Sequence, residues 1–90
     1  MIKKYFKITN EIGIHARPAT SLVNEAMKHK CEITLSAVKK TVDLKSIMGL
    51  MSLGVYSGVT IEICCDGEDE AEAIKALADK IFELRLGKEV

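Results

Sequence analysis

The chain is 90 residues long, sized for a single domain spanning residues 1–90 with a modest core and no room for a second unit. Its 13 Lys and Arg balance 13 Asp and Glu, which argues against generic nucleic-acid binding, and no apolar run approaches membrane-spanning length. Three cysteines, Cys31, Cys64 and Cys65, fit neither a disulfide framework nor zinc-ligand spacing. They read as reduced thiols of a soluble cytoplasmic protein, with no secretion leader, no metal and no cofactor expected.

From the N-terminus, Ile2, Phe6 and Ile8 share one period-2 phase while Lys3, Tyr5 and Lys7 share the other, predicting a half-buried strand that Lys4 interrupts. Thr9-Asn10-Glu11 then forms a polar loop leading to Gly13. Pro18 is tolerated only in the first turn of a helix, so a helix begins close before it, running from about Ala16 to Met27. Its expected buried stripe is Ala19, Leu22, Val23, Ala26 and Met27, with Asn24, Glu25 and Lys28 outward and His29 solvated in the basic end that follows.

Glu32–Ser36 and Lys40–Leu44 alternate cleanly and lie close enough for a hairpin, although Ala37-Val38-Lys39 lacks the Asn-Gly or Asp-Gly of the tightest turns. Ser46 is a good N-cap for a short helix stopped by Gly54. Ile47, Met48, Leu50, Met51 and Leu53 are too many apolar groups for one face of it. Ile47, Met48 and Met51 are therefore candidates for exposure, either as an adaptable contact patch or as filling for irregular core space.

Val59–Cys65 is the strongest strand, with Val59, Ile61, Ile63 and Cys65 inward. Beyond Asp66-Gly67, Asp69 and Glu72 form an N-terminal capping pair for a helix over about Glu70–Leu84, whose core face is Ala73, Ile74, Leu77, Ala78 and Ile81. The tail Gly87–Val90 is expected to be loose. Short hairpin links favour antiparallel pairing, and three amphipathic helices need one face to cover. The fold class is α+β: an open-faced sandwich of a four-stranded antiparallel sheet with three helices on one face.

The chemistry concentrates in Gly13-Ile14-His15-Ala16-Arg17-Pro18-Ala19-Thr20, which sets a histidine and an arginine at a helix start. Free backbone amides and the positive end of the dipole make that place suited to an anion. Gly13 supplies a left-handed turn and close backbone approach. An imidazole with an ordinary pKa of roughly 6.5 is largely neutral near pH 7 and is then a nucleophile. The helix start and Arg17 both disfavour its protonated form, and both would stabilise a phosphoryl group once attached. Charge is uneven along the chain: residues 1–58 hold nine Lys or Arg against four Asp or Glu, and residues 59–90 hold four against nine. The basic half holds His15, which either steers an acidic partner or is simply an uneven surface.

These residues resemble the HPr family, the histidine-containing phosphocarriers of the bacterial sugar phosphotransferase system, along essentially the whole chain. Gly13–Ala19 looks like the family's active-site motif, and Leu44–Gly54 like its regulatory-serine motif. The resemblance implies that His15 accepts a phosphoryl group on Nδ1 from enzyme I and passes it to enzyme IIA domains, as a covalent carrier rather than a stand-alone enzyme. Arg17 assists, and Gly13, Ala16 and Pro18 shape the phosphate-stabilising loop and helix start. The family register also begins the helix at His15, where proline statistics alone would favour Arg17. Thr20, Ile47, Met48 and Met51 are implied as the partner-binding surface.

Ser46-Ile47-Met48 resembles the form of low-GC Gram-positive bacteria, where an HPr kinase/phosphorylase modifies the serine. Phosphoserine then repels enzyme I and attracts a catabolite-repression transcription factor. No direct nucleic-acid contact, no membrane insertion and a monomer are expected. The alternative is a regulatory paralogue acting only as a binding module controlled through Ser46. The presence of His15 speaks against it.

Overall fold

A computed structural model describes residues 1–90. The elements run β1 (Ile2–Ile8), α1 (Ala16–Met27), β2 (Glu32–Ala37), β3 (Lys40–Asp43), α2 (Ile47–Ser52), β4 (Thr60–Asp66), α3 (Glu70–Glu83) and β5 (Gly87–Glu89). The strands form one antiparallel sheet in the order β3-β2-β4-β1-β5. Phe6 lies opposite Ile61, Leu35 opposite Ile63 and Ile33 opposite Cys65, so every second residue of the three central strands points to one face. That face carries the core. It meets Ala19, Leu22, Val23 and Ala26 of α1, Leu50 of α2, and Ala73, Ile74, Leu77 and Ile81 of α3 in one cluster of 22 buried residues.

The sheet has five strands where the sequence predicts four. After α3, Arg85 takes a left-handed conformation (φ +55°) and turns the chain back, Leu86 is buried, and Gly87 enters the ladder opposite Ile8. A Cβ on Gly87 would collide with the Lys7 carbonyl, so only glycine allows this approach. The tail expected to be loose is instead paired: Thr9 N–H donates to the Leu86 carbonyl (2.9 Å) and Val90 N–H to that of Tyr5 (2.9 Å). Lys4, which interrupts the apolar phase of β1, reaches Glu89 of this added strand (3.4 Å).

Other departures concern side chains. Met27 is 63% exposed, because α1 is ending where its stripe would turn inward. His29 and Glu25, expected in solvent, are nearly covered; His29 Nε2 lies 3.2 Å from Glu25 Oε2, and Nδ1 lies 3.7 Å from Asp69 Oδ2. Asp69 is the N-cap of α3 but does not cap it with its side chain. Its carboxylate instead accepts from the amides of Lys30 and Cys31, both at 2.9 Å, tying the end of α1 to the start of α3. Those bonds, the Lys30 amide first, hold its pKa down to about 2.

Candidate functional site

The β1–α1 connection carries the histidine, and four local features set its shape. Gly13 N–H donates to the Asn10 carbonyl (3.3 Å), closing a turn with Asn at its first position and Gly at its fourth. Asn10 Nδ2 donates to the Gly13 carbonyl (2.9 Å), so both polar groups of the Gly13 residue are held by Asn10. Gly13 has φ +80°, and a Cβ there would strike the Val55 carbonyl and lie 2.6 Å from Tyr56 Cα. Its freedom thus serves approach to the 55–56 segment. Ile14 N–H donates to the Val55 carbonyl (3.0 Å), and its side chain is buried.

His15 follows as the N-cap of α1, in an extended conformation (φ −111°, ψ −177°). Its carbonyl accepts the first helical bond, from Ala19 N–H at 2.9 Å. The amides of Ala16 and Arg17 precede that bond and have no acceptor in the helix, and Pro18 in the same turn has no amide to leave unpaired. The helix start therefore falls at His15, as the family register implies. The imidazole is partly exposed and the Arg17 side chain exposed, and neither has a hydrogen-bond or ion-pair partner within the protein. Thr20, also exposed, donates back to the Ala16 carbonyl (2.8 Å), so its hydroxyl reinforces the first turn.

Ser46 caps α2, its Oγ accepting from Gly49 N–H at 3.0 Å. Helix α2 packs against α1 and β3. Of its apolar residues Leu50 is buried, while Ile47 (39%), Met48 (81%) and Met51 (41%) are exposed, which decides between patch and core filling for all three. The chain leaving α2 returns to the histidine loop through Val55, so α2 and the β1–α1 turn share one surface. Tyr56, 63% exposed beside Gly13, and Ile12, 70% exposed and next to Gly13 in the chain, add apolar groups at the histidine loop and are missing from the sequence-derived site. No periodicity marks them, because both lie in loops. Asn10 was legible only as half of an Asn-x-x-Gly turn. The two grooves of the molecule, about 250 and 290 Å³, are lined by other residues. His15 stands on an open surface.

A family model described as "PTS HPr component phosphorylation site" matches residues 2–82. The chain belongs to the HPr family. Among solved HPr structures, the histidine-containing phosphocarrier protein of a mycoplasma is 38% identical and superposes with a TM-score of 0.94, over 96% of this chain and 98% of that one. Phosphocarrier protein HPr of Bacillus anthracis is 39% identical, with a TM-score of 0.81 over 88% of this chain and 94% of the other. Crh of Bacillus subtilis, a catabolite-repression relative crystallised as a domain-swapped dimer, is 38% identical with a TM-score of 0.72, over 92% and 95%. HPr-type relay proteins and a regulatory relative thus lie at similar identity, and the residues of the site have to separate the two roles.

Proposed function

We propose that this HPr-family chain relays a phosphoryl group through His15, from phosphorylated enzyme I to enzyme IIA domains of the phosphotransferase system. The observation that carries this reading is an unpartnered, accessible imidazole at the N-cap of α1, with the amides of Ala16 and Arg17 unpaired beside it. In the first transfer the His15 Nδ1 lone pair attacks phosphorus. The bond from phosphorus to the donor imidazole breaks, and its electron pair leaves with that ring. The second transfer repeats this with His15 as the leaving group. Arg17 and the helix amides face the charge that arrives with the phosphoryl oxygens. The open surface suits delivery by a protein, and Ile47, Met48 and Met51 with Thr20 form the docking face.

Ser46 is the regulatory site in this reading. Its Oγ already accepts an amide bond from Gly49, so a phosphate there keeps acceptor oxygens at the same amide. The added charge beside Ile47 and Met48 then acts on partners: it repels the acidic face of enzyme I and attracts the basic face of a catabolite-repression transcription factor.

Labelling with two donors tests both sites. Enzyme I and phosphoenolpyruvate should give an acid-labile, base-stable phosphoprotein that His15→Ala does not form, and HPr kinase with ATP an acid-stable one that Ser46→Ala does not form. Kinase labelling without any enzyme I labelling would make the chain a Crh-like regulator instead.

A further inference from the structure

We propose that Asn10 is a positioning residue for phosphoryl transfer: its side-chain amide locks the Asn10–Gly13 turn and thereby fixes where His15 stands. The inference rests on the relay reading above. The imidazole has no partner inside the protein, so its position is that of its backbone, and the backbone enters α1 directly from Gly13 and Ile14.

Gly13 is gripped at both ends by one residue. The Asn10 carbonyl accepts from Gly13 N–H, and Asn10 Nδ2 donates to the Gly13 carbonyl. Asn10 is itself tied down, its own N–H donating to the Leu86 carbonyl (3.3 Å) at the root of β5. A continuous path of hydrogen bonds therefore runs from the β1–β5 edge through Asn10 to Gly13, two residues before the N-cap. Val55 holds the far side of the same turn through Ile14.

A second observation indicates that the side chain is present for more than turn formation. Asn10 Oδ1 is buried without a hydrogen-bond partner, the one buried side-chain polar atom in the molecule left so. Removing a carbonyl oxygen from water unpaired is unfavourable, and a serine can open the same turn without it. Asparagine is the short side chain that offers an N–H donor at this reach, and the Nδ2 bond to Gly13 is what it gains in return. Because a displacement of about 1 Å at a reacting nucleophile can cost on the order of a hundredfold in rate, the gain belongs to the transfer step.

The test compares the full-length chain with Asn10→Ala and Asn10→Ser, both uncharged, able to keep the backbone turn and without the side-chain N–H donor. Phosphorylation by enzyme I and phosphoenolpyruvate is followed at varied concentration of the carrier, beside thermal unfolding and amide exchange. With the donor gone, kcat should fall about tenfold while KM stays within about twofold, since the docking face is untouched. Exchange at Gly13 and Ile14 should quicken while β4 amides keep their protection. A purely structural role would lower the melting temperature yet leave kcat unchanged below it. Wild-type chain that labels normally beside variants whose kcat is also within twofold overturns this inference alone. Wild-type chain that takes no label overturns the relay reading and this inference with it.

Discussion

Cys31 and Cys65 lie in the core, and burial pushes both thiols up, Cys65 to about 12. Cys64 alternates to the open face of the sheet, where it lies opposite Lys3 and Thr34 and is partly accessible. Because the thiolate is the reactive form, iodoacetamide near pH 8 should add once per folded chain, at Cys64, with Cys31 and Cys65 modified only after denaturation. Peptide mass spectrometry reads this directly, and rapid alkylation of Cys65 in the native state would contradict it. Asp69 makes a second residue-level prediction. Its folded pKa of about 2 lies below the ordinary 3.8, so the unfolded chain takes up its proton first as pH falls. The stability it adds is therefore complete above about pH 4 and is lost on the way down to about pH 2. Asp69→Asn should lower the melting temperature at pH 7, and the gap to the parent should close over that acid window.

The elements with strong periodicity were legible in advance. The apolar spacing of α1 and α3 and the alternation of β2 and β4 fall where the pattern places them, to within a residue or two at the ends. What escaped is held by single contacts that leave no period. Three-residue β5 depends on Leu86 anchoring and on Gly87 passing the Lys7 carbonyl. Asp before a helix is usually its cap, whereas here two free amides after α1 compete for the Asp69 carboxylate and win. The β2–β3 hairpin shows the same limit. Ala37 pairs with Lys40, leaving a two-residue loop in which Val38 and Lys39 both take φ near +50 to +64°, the type I′ pattern that Asn-Gly adopts without strain. Both side chains are exposed and lose little if replaced. Val38→Asn with Lys39→Gly should stabilise the fold by about 1–2 kcal/mol, measured by urea unfolding at unchanged m-value.

Across the whole molecule, the helices cover one face of the sheet, and α1, α2 and the 55–56 segment bring the candidate phosphoryl acceptor, the candidate regulatory serine and an apolar rim to one surface. His15, Arg17 and Ser46 could be picked out from the sequence because helix starts have a chemical grammar. Their shared surface could not, since it depends on how Val55 meets Ile14. That half of the chain carries the excess of Lys and Arg, so complex formation with an acidic partner should weaken as salt rises from 50 to 300 mM (about 14 to 6 Å of screening length). A salt-independent KM for enzyme I would assign docking to the apolar rim alone. If His15 takes a phosphoryl group and gives it up again, a chase will follow both steps on one chain. Chain phosphorylated by enzyme I, freed of donor and mixed with an enzyme IIA domain, should show the phosphohistidine signal of residue 15 disappearing in 31P NMR as that of the acceptor grows. A phosphoryl group that never appears on residue 15, or that reaches only water, would contradict the relay.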